Sequence, residues 1–473
     1  MTRATAIRTV AVAGGGIAGL SAAIAFARSL PGTPVTLLQT SAEPGTLIDM
    51  VPTSWPTVSR FHAAIGLDEA DLVRSGIATH HLGTIFEDWS RSGQPWVHAF
   101  GPYGKPAGGI PFDEIWYRAD REGEALPYDR YSLGAGLARA AKFVHPARET
   151  GSLGSRFQYG LRLDPVRYRE RLIEHAARSG IRFVAGELVG AERSARGIES
   201  AVLSDGSRVA ADFFVDCSGP SARLLSRLDD SFEDWSQWMP FDRFLVESEE
   251  SSNFPSTADQ VRASADGWSI EWPLRTHKLR AALSIGGEGV PISRGRRLRP
   301  WIHNVLAIGD AATALDPLHG MNLDVTQQAI LLALELLPGR EFHHVETQEY
   351  NRRAEQLTRR VRDFVALHYL RSGRSTGVWN KLSYVEPPDS LARTLDQYEY
   401  RGRLPFHEEE SVTRDSWTAT LLGMGILPVH VDPQAAAVPL EAAVERMREH
   451  AREIEEVVAK LPSYADYLQR MGT

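Results

Sequence analysis

The hydrophobic pattern at the N-terminus predicts a strand, a tight turn, a helix and a second strand. Apolar runs at residues 9–13 and 35–38 flank an alanine-rich stretch. Short apolar runs bounded by turn residues are typical of buried strands, and a longer periodic run is typical of a helix. The turn contains four glycines, Gly14, Gly15, Gly16 and Gly19, and three of them, Gly14, Gly16 and Gly19, have the spacing Gly-x-Gly-x-x-Gly. These glycines lie in the middle of an uncharged run, residues 9–27. A signal peptide or a membrane helix would favour leucine at such positions, so the glycines argue against both.

A second α/β segment is predicted near the middle of the chain. Asp164 and Pro165 precede a pattern with helical spacing that stops at Gly180, which is typical of a capped helix. The strand patterns that follow lie at residues 181–185, 188–192 and 198–203. The dipeptide Asp205-Gly206 after the last of them predicts a hairpin turn.

Two further buried strands are expected at residues 213–216 and 304–308. The second leads into Gly309 and Asp310 and then into a helical pattern over 325–337. Strands that alternate with helices predict an α/β fold with a parallel sheet. We expect a discontinuous nucleotide-binding domain at 6–45, 155–225 and 298–335, an inserted substrate-binding region at 46–154 and 226–297, and a mainly helical C-terminal region at 336–473.

Composition excludes several classes of protein. Of the 473 residues, 43% are hydrophobic and 24% charged, and the formal net charge is −8. A disordered chain, a collagen-like chain and a basic nucleic-acid binder do not fit these values, so we expect a small-molecule or protein partner and neither nucleic acid nor membrane. The single cysteine, Cys217, cannot form an internal disulfide, which fits a reducing cytoplasm.

The glycine spacing has a chemical meaning. Gly14 permits the tight turn, Gly16 lets the backbone approach a pyrophosphate, and Gly19 lets the helix pack on the strand. The helix N-terminus then offers unpaired N–H groups to phosphates. An acidic residue normally follows the second strand and binds a ribose, but Gln39 stands there and offers an uncharged hydrogen-bonding group.

For two segments in the C-terminal half of the chain, we prefer a structural interpretation to a functional one. A heptad-like apolar stripe over residues 440–461 predicts a helix packed on its own domain, and the alternative is a homodimer seam. Four arginines precede Trp301, and we interpret this basic run, 294–299, as a solvated loop, with docking of a reductase or a phosphate as the alternative.

A set of short motifs occurs in one order along nearly the whole chain. Besides the glycine motif, they are Arg60-Phe61-His62, Phe86-Glu87-Asp88-Trp89, Val215-Asp216-Cys217-Ser218-Gly219, Glu233-Asp234-Trp235-Ser236, Gly309-Asp310-Ala311-Ala312, Asp316-Pro317-Leu318 and Ser416-Trp417. In this order and spacing the chain resembles the flavin-dependent tryptophan halogenase family. The resemblance implies a glutathione-reductase-like Rossmann FAD-binding domain with an inserted substrate-binding region and a helical C-terminal part.

The resemblance also implies a cofactor, a substrate class and a partner. The residues expected to bind FAD are Gly14, Gly16, Ala18, Gly19, Gln39, Gly309, Asp310, Met321 and Asn322. A planar aromatic substrate is expected to stack against Trp268, Phe406 and Trp417. Because the Gly-x-Gly-x-x-Gly motif occurs once, with no second motif for a nicotinamide cofactor, we expect a separate flavin reductase to supply reduced FAD.

The chain departs from the family at the two positions on which halogenation depends. The family's catalytic lysine corresponds to His81, and its glutamate corresponds to His319. Imidazole is shorter and more rigid than a lysine side chain and is only partly charged near neutral pH, with an unperturbed pKa of about 6.5. We predict that His81 and His319 act as an acid–base pair across one pocket; the alternative is that both merely fill space. No metal site is expected.

Three functional hypotheses follow from this pattern. The first is a flavin-dependent oxygenase or oxidase that acts on an aromatic, indole-like molecule. The second is a genuine halogenase with rearranged catalytic groups, and the third is a non-catalytic flavin-binding accessory protein. A shared fold cannot separate them, because the chemistry depends on the residues of the site.

Overall fold

The computed structural model describes residues 6–90, 93–149, 151–250, 255–340 and 342–472. The chain forms two compact units. The first unit comprises Met1–Leu72, Leu163–Leu245 and Gly286–Arg362, and the second comprises Val73–Arg162, Val246–Ile285 and Asp363–Thr473. The predicted nucleotide-binding segments lie mainly in the first unit, whereas the predicted helical region from residue 336 is shared between the two. The predicted division into three regions stays a prediction.

The strands in chain order are β1 (Val10–Ala13), β2 (Val35–Gln39), β3 (Ala78–His81), β4 (Gly83–Glu87), β5 (Trp96–Ala99), β6 (Gly160–Leu163), β7 (Arg182–Ala185), β8 (Leu188–Ser194), β9 (Gly197–Leu203), β10 (Arg208–Ala210), β11 (Phe213–Asp216), β12 (Phe232–Asp234), β13 (Arg243–Glu250), β14 (Ala258–Ala263), β15 (Gly267–Pro273), β16 (His277–Ser284), β17 (Val290–Pro291), β18 (Gly295–Arg297), β19 (Trp301–Ile302), β20 (Val305–Ala307) and β21 (Thr313–Ala314).

The α-helices are α1 (Ile17–Ser29), α2 (Val58–Ile65), α3 (Glu69–Arg74), α4 (Phe112–Arg121), α5 (Leu133–Arg139), α6 (Pro165–Arg178), α7 (Met321–Glu335), α8 (His344–Leu370), α9 (Val378–Leu382), α10 (Asp389–Arg401), α11 (Arg414–Gly423), α12 (Pro433–Ala437), α13 (Leu440–Lys460) and α14 (Tyr464–Arg470). No helix among these described segments is both long enough and apolar enough to cross a membrane. The cytoplasmic location stays a prediction.

The first unit contains a six-stranded sheet in the order β19-β20-β11-β1-β2-β7. Strand β1 pairs in parallel with β2 and β11, so that Val12 lies between Leu37 and Val215. Helix α1 is buried over most of its length and packs against α6 and α7. The predicted strand–turn–helix–strand unit is thus confirmed. Helix α7 begins at Met321, four residues before the predicted start.

The hairpin and the capped helix follow their sequence signals. Strands β9 and β10 pair antiparallel around Asp205-Gly206. The Asp164 carboxylate accepts hydrogen bonds from the N–H groups of Val166 and Arg167 at the start of α6. Local turn and cap chemistry therefore determines both features.

The basic run at 294–299 is not a solvated loop, and this expectation is wrong. Strand β18 pairs antiparallel with β12, which sets Arg296 opposite Glu233. Arg296 and Arg297 are buried, and Arg296 Nε lies 2.8 Å from Glu233 Oε2. Arg362 joins the same carboxylate at 3.1 Å. Buried arginines require such partners, and here a strand distant in sequence supplies one.

In the second unit, β16, β15, β14, β4 and β5 lie side by side in one sheet, with β13 next to β16. Strands β14 and β4 are parallel, and β3 pairs separately with β6. Helix α13 buries Val444, Met447 and Ile454 and packs against α4 and α5. The stripe is therefore covered by its own unit, as expected, and these side chains do not form an open dimer seam.

Candidate functional site

Two glycines of the predicted phosphate-binding turn allow close packing in the first unit. A Cβ atom on Gly14, whose φ is 127°, would lie 2.2 Å from the Cys217 carbonyl oxygen. A Cβ atom on Gly19 would lie 1.9 Å from the Gly14 carbonyl oxygen. Real Cβ contacts are never this short, so glycine is required where β1, β11 and α1 meet.

The third glycine faces a carboxylate. Asp49 Oδ1 accepts a hydrogen bond of 2.6 Å from the N–H of Ile17, the first residue of α1. A Cβ atom on Gly16 would lie 2.3 Å from Asp49 Oδ2. Burial raises the pKa of Asp49 above its usual value, while the Ile17 N–H and the charge of Arg169 oppose the rise. The position at which an anion meets the helix N-terminus is thus filled by this chain's own carboxylate.

Asp310 lies in the short turn Gly309–Ala311, next to α1. A Cβ atom on Gly309 would lie 3.0 Å from Ala18 Cβ. Asp310 Oδ2 accepts a hydrogen bond of 3.2 Å from Ile48 N–H. Burial, reinforced by the nearby charge of Asp49, raises the pKa of Asp310 to about 7. The structure therefore brings together the glycine turn, Ala18, Gly309 and Asp310.

The remaining predicted cofactor residues belong to the same unit. Gln39 ends β2, and its Cα would be 3.5 Å from a Cβ atom on Gly15. Met321 and Asn322 begin α7, where Asn322 Nδ2 donates to Leu315 O at 2.9 Å. Asn322 Oδ1 is buried and has no hydrogen-bond partner among the described residues. A buried acceptor such as this amide oxygen fits a ligand that donates hydrogen bonds, as a flavin does.

His319 lies in a strained turn of the first unit. It is buried and has a φ of 62°, which is uncommon for a residue other than glycine. Its carbonyl oxygen accepts a hydrogen bond of 2.9 Å from Trp55 Nε1. A Cβ atom on the following Gly320 would lie 2.4 Å from Thr53 Cβ. The turn thus packs directly against the segment at 53–55.

His81 lies at the end of β3 in the second unit and contacts a buried carboxylate. Its Nε2 is 3.2 Å from Asp259 Oδ2 on β14, and both side chains are 1% exposed. The other oxygen, Asp259 Oδ1, accepts a hydrogen bond from Arg162 Nε on β6. Arg162 Nη1 also donates to Ser256 O at 2.7 Å and to Pro273 O at 3.1 Å. The sequence predicted neither Asp259 nor Arg162, because both are far from His81 along the chain and lie in no motif.

His81 and His319 belong to different compact units. Their action as an acid–base pair stays a prediction. Two other buried histidines of the second unit are held neutral: burial lowers the pKa of His98 to about 3 and that of His368 to about 4. Neither is a proton donor near neutral pH.

The three predicted substrate contacts differ in their surroundings. Trp268 is buried in β15, where its ring centroid lies 6.0 Å from that of Trp89. Trp417 is buried in α11, 5.2 Å from the ring of Phe364. Phe406 is 94% exposed, so the structure does not pack it against either tryptophan. All three roles stay predictions.

The first unit has the geometry of a dinucleotide-binding protein. Its glycine turn lies at the carboxyl end of the parallel strand β1. At the start of α1, the Ile17 N–H donates a hydrogen bond to the Asp49 carboxylate. Arg169 adds a cation, because its Nε donates to the Gly15 carbonyl oxygen at 2.9 Å. These residues fit the phosphates of FAD on the condition that the Asp49 carboxylate moves away.

Comparison with known proteins identifies the family. The family model described as tryptophan halogenase matches residues 9–440. The chain is 24% identical to the tryptophan 6-halogenase SttH of Streptomyces toxytricini, over 98% of each chain. Among solved structures, BrvH, a flavin-dependent halogenase from Brevundimonas sp. BAL3, is 29% identical with a TM-score of 0.91, over 98% of this chain and 99% of that one. Xcc4156, a flavin-dependent halogenase from Xanthomonas campestris, is 28% identical with a TM-score of 0.90, over 98% of each. The chain belongs to the tryptophan halogenase family.

This membership confirms the predicted α/β fold and the predicted class, a flavin-dependent oxidoreductase. It also confirms the cofactor prediction, because flavin-dependent halogenases use FAD that a separate flavin reductase supplies in reduced form. The roles assigned to individual residues stay predictions.

Proposed function

We propose that this protein uses reduced FAD and oxygen to oxygenate or oxidise an aromatic, indole-like small molecule without incorporating halide. The supporting observation is His81, which stands where the resemblance places a lysine and which contacts the buried Asp259. A lysine carries a compact charge on a flexible stem, whereas this imidazole is held in one place. The arrangement suits proton transfer better than delivery of an electrophilic halogen.

The contact with Asp259 also sets the protonation pattern of the His81 ring. A carboxylate 3.2 Å from Nε2 favours the tautomer in which Nε2 carries the proton. The basic nitrogen is then Nδ1. Arg162 holds the other oxygen of Asp259, so that the carboxylate stays oriented. We assign His81 the role of a general base and Asp259 that of a positioning residue.

The cofactor's contribution is separate from these groups. Bound FAD would be held by the Gly14–Gly19 turn, Gly309 and Asp310, and in reduced form it supplies the electrons that activate oxygen. The chain's own residues bind the aromatic ring, exclude water and accept a proton at His81 Nδ1. Trp268 and Trp417 are proposed as the aromatic surroundings of the substrate, since stacked rings contribute roughly 0.5–1.5 kcal/mol per pair.

Halogenation is the second candidate function. It is favoured by the relatives, among which SttH, BrvH and Xcc4156 are described as halogenases. In that case groups other than a lysine and a glutamate would have to guide the halogen.

A product assay separates the two. The purified protein, a flavin reductase, FAD and oxygen are incubated with a panel of indoles, with and without chloride or bromide, and the products are identified by mass spectrometry. We expect an enzyme-dependent product that has gained oxygen or lost two hydrogens and whose yield does not depend on halide. A chlorine or bromine isotope pattern in that product would replace the first function by the second.

A further inference from the structure

One short segment contacts both parts of the flavin site in the first unit. We call Leu47–Asp49, a single helical turn, the 47–49 turn. Its Asp49 carboxylate accepts the Ile17 N–H at the start of α1, at 2.6 Å. Its Ile48 N–H donates to Asp310, at 3.2 Å. Leu47 and Ile48 are buried, so the segment is well packed.

We propose that Asp49 is an internal anion that occupies the pyrophosphate position of the FAD site, and that FAD binds only when the 47–49 turn moves away. The inference concerns flavin binding alone and builds on the FAD site described above. It assigns Asp49 a role opposite to that of a cofactor ligand, because the carboxylate competes with the cofactor.

The geometry at Gly16 supports this competition. Glycine leaves free the space in which the backbone can approach a phosphate. Here the Asp49 carboxylate fills that space, since both of its oxygens lie within 3 Å of the position of a Cβ atom on Gly16. A phosphate oxygen and a carboxylate oxygen cannot share one position, and two negative charges in a buried site repel each other.

The electrostatics of the position favour an anion of either kind. The N-terminus of α1 presents N–H groups and the positive end of the helix dipole. Arg169 Nε donates to Gly15 O at 2.9 Å, and the Arg169 charge acts on Asp49. A carboxylate in this place imitates the phosphate in charge and in hydrogen bonding.

The second contact has the same effect at the other part of the site. Asp310 is among the residues expected to bind FAD, yet one of its oxygens accepts the Ile48 N–H. Movement of the 47–49 turn would free Asp310 and the α1 N-terminus together. The apparent affinity for FAD is then the intrinsic affinity multiplied by the fraction of molecules in which the turn is displaced.

Binding measurements on Asp49→Asn test the proposal. Asparagine keeps the size of the side chain but loses its charge, so the hydrogen bond to Ile17 weakens. The dissociation constants of FAD and of ADP, which carry a pyrophosphate, should fall about tenfold relative to wild type. The dissociation constant of adenosine, which has neither a phosphate nor a sugar-alcohol chain, should stay within about twofold. Asp49→Ala should change the affinities in the same direction.

Asp205→Asn is the matched control, because it removes one negative charge from an exposed hairpin of the same unit and should leave all three affinities unchanged. Equal ADP affinity in wild type and Asp49→Asn, weaker ADP binding by the variant, or no ADP binding by either protein would each overturn the proposal. An absence of oxygenated product in the assay above would leave this comparison intact, so the two failures are distinguishable.

Hydrogen exchange on the wild-type chain gives a second readout that needs no variant. Saturating ADP should speed amide exchange in a peptide covering residues 47–51, because Ile48 N–H loses Asp310 as its acceptor. Slower exchange in that peptide would mean that the turn stays in place when ADP binds, which contradicts the proposal.

Discussion

The most distinctive group of residues in the second unit is the buried set His81, Asp259 and Arg162. Asp259 lies between the imidazole and the guanidinium, and all three side chains are almost fully buried. Removing one partner from a buried ion pair leaves the other charge without compensation in a medium of low polarity. We therefore expect Asp259 to have two roles, one in stability and one in orienting His81.

We expect Asp259→Asn to lower the free energy of unfolding by about 3–5 kcal/mol, because Arg162 would keep a buried charge without a counter-ion. Urea denaturation followed by circular dichroism measures this change. Glu271→Gln on β15 is the control: its carboxylate pairs with Arg280 and Lys278 at a partly exposed position, and its loss should change stability by less than about 1 kcal/mol. Equal effects of the two substitutions would show that the Asp259 pair is screened by solvent.

His81→Gln should lower turnover by about 10²–10⁴-fold, because glutamine forms hydrogen bonds but cannot accept a proton in catalysis. FAD affinity should stay at the wild-type value, since His81 is not among the predicted cofactor residues. Steady-state kinetics across a pH series measure the change, with His277→Gln on β16 as the control. Unchanged turnover together with an unchanged pH profile would leave the His81 imidazole as a space-filling group.

At the scale of elements, helix α7 contains a buried carboxyl group that makes stability depend on pH. Burial raises the pKa of Asp324 to about 6, although Thr57 and Gln328 donate hydrogen bonds to it. The folded chain therefore keeps this proton in a pH range in which the unfolded chain has lost it. Stability contributed by the neutral form is present below about pH 4 and is lost as the pH rises to about 6.

We expect Asp324→Asn to remove this part of the pH dependence. Relative to wild type, the variant's free energy of unfolding should rise by up to about 3 kcal/mol between about pH 4 and pH 7. Thermal melting over that range gives the measurement. Asp205→Asn should keep the wild-type slope, because hydrogen bonds from Ser207 lower the pKa of that exposed carboxyl. A wild-type slope in Asp324→Asn would mean that this carboxyl is ionised throughout.

The elements that could be predicted are those with local signals. The glycine turn, the Asp164 cap and the Asp205-Gly206 hairpin each depend on neighbouring residues, so the sequence predicted them well. The burial of Arg296 and the position of Asp49 could not be predicted in this way. Each depends on a partner brought close by the tertiary fold, Glu233 in one case and Ile17 in the other.

At the scale of the whole molecule, the chain keeps the architecture of its family, while its reaction is proposed from a few side chains. The family model covers residues 9–440, and the match to BrvH extends over 98% of the chain. Yet histidine occupies positions 81 and 319, where the resemblance places lysine and glutamate. The fold could be predicted because its motifs recur in order, whereas the reaction depends on a few side chains.

The most direct test of the proposed reaction is the isotopic composition of the product formed from an indole-like substrate in heavy-isotope oxygen gas and excess bromide. We expect a product that contains heavy oxygen or lacks two hydrogens, contains no bromine, and forms at the same rate when bromide is omitted. A brominated product whose yield rises with bromide concentration would contradict the proposed reaction.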